Sequence, residues 1–240
     1  MMSRTFTDEK QGGDSRASIF SALARGVFAL WLLATAGCAF THRDLVRSHW
    51  LEYPAPPSTS AAGVPATLIV YPFLLVESVD ARAVEVPGSG GKDGPGLSFL
   101  WARNPGDMIT DLIQRDLAGS GLFQRTVGQF SSEPYRYALE GRVVALRGIR
   151  TAGKPNALIE VEATLVDFGV PVGATKNIME RRYRVEAPSK NSSAEAMVQA
   201  FNDGLRDLSL RLEKDIRSTL EHTKVLRRGG SASRQWMFLS

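Results

Sequence analysis

Side chains that act as nucleophiles, general bases or metal ligands are scarce in this chain of 240 residues. It has a single cysteine, Cys38, and three histidines, His42, His49 and His222, so positions 50–221 contain no histidine. One cysteine cannot form an intrachain disulfide or a zinc site of the usual Cys/His type. The composition argues against most catalytic triads and histidine-ligated metals. We therefore expect a protein that is not an enzyme, without catalytic residues, metal or cofactor.

Glu160 and Glu162 form a carboxylate pair with a spacing that acid–base chemistry can use. They lie two residues apart on a predicted strand, and therefore side by side on one face. Apolar residues alternate with them, so a solvated strand face explains the pair better than a general acid and base. Arg182 and Arg184, on another predicted strand, share a polar face with glutamates, and cross-strand ion pairs explain them.

Asp107 and Asp111 form a second pair, four residues apart on a predicted helix. This spacing can serve a metal ion, but Asn104 lies just upstream as the predicted N-cap. Asp107 is then a residue of the first helical turn and Asp111 an exposed side chain. The pair therefore predicts no metal site.

The cysteine lies where attachment of a lipid would require it. Residues 26–37 form an uncharged run after Arg25, shorter than the ~18 residues that span a bilayer but suited to a signal peptide. The sequence Thr35-Ala36-Gly37-Cys38 resembles a bacterial lipobox, in which the thiol is diacylated and the chain is cut before the cysteine. The sequence thus predicts Cys38 as the lipidated first residue of the mature chain. An ordinary secretory signal or a short membrane anchor, with Cys38 incidental, is the alternative.

Ala39 follows the cysteine, where an aspartate would resemble an inner-membrane retention signal. Sorting to the outer membrane is therefore the expectation for a lipoprotein. The charge balance is only mildly basic, with a formal net charge of +4, and no run of five basic residues occurs. We expect no nucleic-acid partner.

Four segments are predicted along the chain. Residues 1–37 are the signal peptide, and 38–66 are a lipidated N-terminus with a Pro-, Ser- and Ala-rich tether. Residues 67–221 form the folded domain. Residues 222–240 are a flexible C-terminal tail, because the apolar periodicity ends near residue 221.

The first half of the domain combines strands with one helix. Residues 67–76 form a continuous apolar run, typical of a strand covered on both faces, and Pro72 within it indicates a sheet edge or a bulge. A short strand is predicted at 97–101, followed by a helix at 105–118 with Asn104 as its N-cap. The apolar stripe of that helix comprises Met108, Ile109, Leu112, Ile113 and Leu117.

Three segments of alternating polarity follow, at 135–147, 157–167 and 178–187. Their period of two predicts antiparallel strands with one wet face. Hairpin loops are predicted between them at 148–155 and 169–175.

A second helix is predicted from the capping box of Ser192 and Glu195 to about residue 221. Its apolar residues recur at steps of three and four: Met197, Phe201, Leu205, Leu208, Leu212, Ile216 and Leu220. This stripe would lie across the dry face of the sheet. The predicted fold is an α+β single domain, an antiparallel sheet covered on one face by two helices, behind a lipidated tether.

The order of these features resembles a known family. After the cysteine come Trp50-Leu51, the apolar strand, Asp80-Ala81-Arg82, the 97–101 strand, the first helix, Gly121-Leu122-Phe123 and Tyr137-x-Leu-x-Gly141-x-Val143. Over residues 38–221 this order resembles the ABC-type transport auxiliary lipoproteins, the group that includes PqiC.

The resemblance implies a non-catalytic lipoprotein of the Gram-negative outer membrane that faces the periplasm. Its implied partners are outer-membrane lipid, through acylated Cys38, together with an MCE-type substrate-binding protein and an ABC permease with its ATPase. Such systems move lipids or other hydrophobic molecules between membranes. The family has no catalytic residues to carry over, only Cys38 as the lipidated position.

A second interpretation is an assembly lipoprotein of a secretion, fibre or polysaccharide export system. Modules similar to the TolB amino-terminal domain or CsgG also place Gly-x-Phe between a helix and a strand. Neighbouring genes would separate the two interpretations, since each system has its own components.

Overall fold

The computed structural model describes residues 48–58, 63–86, 97–169 and 176–235, and side chains up to Thr223. These ranges all belong to one compact unit, Val46–Ser240. The predicted signal peptide, Cys38 and most of the predicted loop at 169–175 lie outside the described residues.

The described residues form nine strands and two helices. The strands are β1 (Ser48–His49), β2 (Val64–Val70), β3 (Leu74–Leu75), β4 (Ala83–Val86), β5 (Leu97–Trp101), β6 (Phe123–Gly128), β7 (Tyr137–Thr151), β8 (Lys154–Asp167) and β9 (Lys176–Pro188). The helices are α1 (Pro105–Gly119) and α2 (Ala194–Gln235).

The main sheet has the strand order β6-β2-β7-β8-β9, with β3 also paired to β7. The long strands β7, β8 and β9 are antiparallel, as their alternation predicted. β2 instead runs parallel to both β6 and β7, so the sheet is mixed rather than wholly antiparallel. The reason lies in the connection, because α1 stands between β2 and β6 and a crossover of this kind joins parallel strands.

A second, three-stranded sheet has the order β1-β5-β4. β1 is parallel to β5, and β4 is antiparallel to it. The Trp101 ring on β5 lies 5.6 Å from the Phe201 ring on α2, in an edge-to-face arrangement. The small sheet therefore shares its core with α2.

Pro72 divides the strand that the sequence predicted over residues 67–76. β2 ends at Val70 and β3 begins at Leu74, because proline offers no N–H to a neighbouring strand. The Phe73 N–H, released from the ladder, donates to the Thr110 hydroxyl of α1 at 2.8 Å. One predicted strand is thus two, joined by a segment that is bonded to a helix.

α1 begins where its N-cap residue and proline predict. The side-chain oxygen of Asn104 accepts from the backbone N–H of Gly106 at 2.8 Å, and Pro105 occupies the first helical position. All five predicted stripe residues of α1 are buried. Burial of each such side chain contributes about 1.5–3 kcal/mol to folding.

α2 begins one residue later than its predicted capping box. The Ser193 hydroxyl, not that of Ser192, accepts from the Ala196 N–H at 3.2 Å. α2 also continues to Gln235, past its predicted end near residue 221 and into the segment predicted as a tail. The helix can outlast its apolar stripe, because adding residues to an existing helix does not require the costly nucleation step.

The β7–β8 hairpin is tighter than the predicted loop at 148–155. The strands continue to Thr151 and from Lys154, which leaves Ala152 and Gly153 as the turn. Their φ angles of 50° and 75° are those of a two-residue hairpin turn that twists with its strands. A non-glycine residue rarely adopts such an angle, so alanine at the first position gave no turn signal.

Residues assigned to the tether from the sequence contribute to the folded domain. Leu51 and Tyr53 are buried in the main core, and Val64, the first residue of β2, is buried with them. The folded part therefore includes residues 48–53 and 64–66, upstream of the predicted boundary at 67. The prolines at positions 54, 56 and 57 concealed this, because they directly follow Tyr53 and are typical of a linker.

The core lies on one face of the main sheet, where side chains of α1 and α2 pack on Leu68, Leu139 and Ile159. The opposite face, which we call the outer face, carries a small separate cluster of Ile69, Ala138 and Val166. The α+β class, with two helices over one face of a sheet in a single domain, is confirmed.

Candidate interaction surface

The outer face has an apolar end formed by adjacent strands. The register places Ile69 of β2 beside Val127 of β6 and Ala138 of β7. Ile69, Ala138 and Val166 are buried, and Val127 and Tyr71 pack partly buried against them. Apolar side chains thus occupy the face of the sheet that is turned away from the main core.

Three aromatic side chains, Tyr71, Tyr135 and Phe168, border this apolar end and are called the aromatic patch below. The hydroxyl oxygens of Tyr71 and Tyr135 are 3.0 Å apart, and the Tyr135 and Phe168 rings meet edge to face at 5.7 Å. Tyr135 is 37% exposed and Phe168 is 41% exposed. Exposed aromatic side chains that are grouped and hydrogen-bonded are typical of binding surfaces.

An ion pair joins the residue just before β7 to the end of β8, next to the aromatic patch. The Arg136 guanidinium donates to both carboxylate oxygens of Asp167, at 3.0 and 3.1 Å, and Asp167 is buried. Asp167 also accepts from the Gly169 N–H at 2.8 Å, and the Arg136 carbonyl accepts from the Phe168 N–H at 2.8 Å. Tyr135 and Phe168 are therefore next to backbone that is fixed on both strands.

The rest of the outer face carries a row of ion pairs across β7, β8 and β9, which we call the ion-pair row. Arg142 donates to Glu162 at 2.6 Å, and Arg182 donates to Glu160 at 2.8 Å. The other members are Arg184 and Glu186, joined at 2.6 Å. The predicted solvated face with cross-strand ion pairs is confirmed.

The charges of the ion-pair row act on its carboxyl groups. The hydrogen bond from Arg142 holds the pKa of Glu162 below its usual range, and that from Arg184 does the same for Glu186. Both carboxyl groups are thus committed as anions to neighbouring arginines. This partnering suits a solvated surface better than a proton-transfer role.

The two aspartates of α1 also have structural roles. Asp111 accepts from Arg103 at 3.0 Å and is exposed, while Asp107 stands in the first turn of the helix. Among the residues that the structure describes, no three His, Cys, Asp or Glu side chains are grouped to hold a metal ion.

Neither described helix combines the length and apolar character of a membrane span.

A buried hydrogen-bond cluster around Asp116 was not predicted from the sequence. The Asp116 carboxylate accepts from the Tyr53 hydroxyl at 2.6 Å and from the Ser209 hydroxyl at 2.7 Å. Arg115 pairs with the same carboxylate at 2.7 Å and donates to the Tyr53 carbonyl at 2.8 Å. We call these four residues the Asp116 cluster. One signal was available, since Asp116 lies on the buried side of α1, four residues after Leu112.

Burial and the hydrogen bond to Asp116 raise the pKa of Tyr53 well above its ordinary value. Tyr53 therefore remains a neutral donor. The cluster joins the segment that contains Tyr53 to α1 and α2, so its role is structural.

The fold and these surfaces define a class: an α+β domain with one face of its sheet under two helices and an outer face with an exposed aromatic patch. The sequence model of the ABC-type transport auxiliary lipoprotein component family matches residues 49–213. The chain belongs to this family, as its resemblance predicted.

The fold is also that of a solved structure. Protein XCC0632 from Xanthomonas campestris, of family DUF330, superposes with a TM-score of 0.60 at 19% identity, over 74% of this chain and 99% of that one. The hypothetical protein CT253 from Chlamydia trachomatis gives a TM-score of 0.43 at 10% identity, over 65% of this chain and 99% of its own. No curated protein matches the chain in sequence.

Proposed function

We propose that the protein is a non-catalytic lipoprotein of the outer membrane that serves an ABC/MCE-type system for moving lipids or other hydrophobic compounds between membranes. In this proposal acylated Cys38 anchors the domain on the periplasmic side. The outer face receives the MCE-type substrate-binding protein, and through it the ABC permease and ATPase. The family supports an auxiliary role in ABC-type transport.

The aromatic patch is the observation that carries the docking part of the proposal. Tyr135 and Phe168 offer exposed apolar area on backbone that the Arg136–Asp167 pair fixes. Rigid aromatic side chains lose little conformational entropy on binding, so they provide the anchors of many interfaces. The adjacent ion-pair row adds charged groups of both signs, suited to the polar rim of such an interface.

A paired substitution tests the docking surface. The Tyr135→Ser/Phe168→Ser variant should co-purify with the MCE-type protein at least about tenfold less than the unaltered protein, as expected for loss of interface anchors. Leu210→Ser is the matched control, because Leu210 is also an exposed apolar side chain but lies on α2. Thermal unfolding of both variants should stay close to that of the unaltered protein.

Equal recovery of the MCE-type protein with both variants would reject the aromatic patch as the docking site. Recovery of polymer-export or fibre components in its place would favour an assembly lipoprotein. The anchor is tested separately by labelling with radioactive palmitate. Label that survives Cys38→Ala, or that fractionates with the inner membrane, contradicts the proposed attachment or location.

A further inference from the structure

The segment after β1 is extended, and its side chains alternate between the core and solvent. Leu51 and Tyr53 point into the core, whereas Trp50 and Glu52 are exposed. Trp50 keeps 52% of its surface accessible, although tryptophan is normally highly buried in a folded domain. A large indole is thus displayed where the chain enters the domain.

Hydrogen bonds fix this segment to the rest of the domain. The His49 carbonyl accepts from the Ala102 N–H at 2.8 Å, and the Glu52 N–H donates to the Asn202 side chain at 3.0 Å. One residue later, Tyr53 enters the Asp116 cluster. Trp50 is therefore held between anchored neighbours and belongs to the rigid part of the molecule rather than to a loose tether.

The length of chain before β1 limits how far this end can lie from the lipid. Nine residues, 39–47, separate Cys38 from Ser48. They reach at most about 35 Å when fully extended. A domain of this size is about 40 Å across. Even at full extension these nine residues are shorter than the domain, so the end that carries Trp50 stays within about 35 Å of the lipid on Cys38.

We propose that Trp50 contacts the interface of the bilayer that holds acylated Cys38, and that this contact orients the domain on the membrane. This inference rests on the proposed acylation of Cys38. Indole has an apolar body and an N–H donor, which is why tryptophan is enriched at the boundary between headgroups and acyl chains. The short tether gives the contact a millimolar effective concentration, so weak affinity is enough.

Quenching of fluorescence by brominated lipid tests the contact. The acylated protein, carrying Trp236→Phe, is reconstituted into phosphatidylethanolamine/phosphatidylglycerol vesicles with or without brominated acyl chains. Trp101 is buried and serves as the internal reference that the lipid cannot reach. We expect brominated lipid to reduce the tryptophan emission, and we expect the reduction to disappear in the Trp50→Phe/Trp236→Phe variant.

The outcomes separate this contact from the anchor. Vesicle flotation with full emission in brominated lipid overturns the Trp50 contact and leaves the lipid anchor intact. Quenching that persists in the Trp50→Phe/Trp236→Phe variant overturns the contact as well. Protection of Trp50 from aqueous iodide without lipid quenching would show that a protein covers it, again against the proposal. Absence of palmitate on Cys38 overturns the proposed anchor, and the contact with it.

Discussion

Asp116 is a carboxylate buried among groups from three separate parts of the chain. Its side chain is only 3% exposed, and its partners come from the N-terminal segment, α1 and α2. A buried carboxylate is costly unless hydrogen bonds and a counter-charge satisfy it. Here two hydroxyls and Arg115 do so, which makes the cluster stable as a set and sensitive to the removal of one member.

We expect Asp116→Ala to lower the free energy of unfolding by about 2–4 kcal/mol, because Tyr53, Ser209 and Arg115 would lose their acceptor. Urea denaturation followed by circular dichroism measures the change. Asp111→Ala is the control on the same helix, and its exposed ion pair with Arg103 should contribute less than about 1 kcal/mol. Equal losses in the two variants would refute the role assigned to the Asp116 cluster.

At the level of residues, the sequence predicts those roles that depend on near neighbours. Asn104 as an N-cap and Glu160 on a wet strand face follow from spacing within a few positions. Asp116, in contrast, bonds to Tyr53 and Ser209, which lie 63 and 93 residues away from it along the chain. No local pattern encodes such distances, so this cluster appears only in the folded structure.

At the level of elements, the join between β2 and β3 depends on a close approach to β7. The Phe73 ring lies directly over Gly141, where a Cβ atom would overlap the ring carbons. Glycine here is required for space, since the position lies within a strand where it otherwise weakens the sheet. The kink at Pro72 and the glycine of β7 are thus one packing arrangement.

Gly141→Ala should lower the free energy of unfolding by about 1–3 kcal/mol, as overpacking of a filled core does. Combining it with Phe73→Leu should cost less than the sum of the two single changes, because the smaller side chain relieves the overlap. Gly119→Ala is the control, since no atom lies within 4 Å of its added Cβ. Strict additivity in thermal or urea unfolding would contradict the proposed contact.

β9 ends the strand order of the main sheet, and its charges suit that position. By alternation Arg181 falls on the core side with Met179 and Tyr183, yet it is exposed. A charged residue on the core side of an edge strand opposes pairing with a further strand.

Alternation predicted β7, β8 and β9 well, whereas the ends of β7 and β8 at their hairpin depended on turn geometry at Ala152 and Gly153.

At the level of the whole molecule, the domain boundary follows from burial rather than composition. Leu51 and Tyr53 belong to the core although prolines follow them closely. Periodicity predicted the class and the helix-covered face, because long amphipathic segments carry that information. Periodicity could not predict the parallel pairing of β2, since the direction of pairing between distant strands depends on the connection over α1.

The position of the boundary can be tested by shortening the chain. A protein that starts at Ser48 should be as stable as the mature chain. One that starts at Pro54 should lose about 3–6 kcal/mol, from the burial of two large side chains and the hydrogen bond to Asp116. Equal urea midpoints for the two proteins would show that residues 48–53 are dispensable for folding.

The position of β2 between β6 and β7 also has a kinetic consequence. The β7–β8 hairpin closes through two residues, so its contacts are local and form early. Leu68 of β2, in contrast, pairs with Tyr137, far along the chain, and must wait until that strand is available. A chain that emerges amino terminus first would therefore leave the side of β2 that faces β7 unpaired until the hairpin exists, although β6 is already available to its other side. Pulse-labelling hydrogen exchange should show amide protection in β7 and β8 before β2.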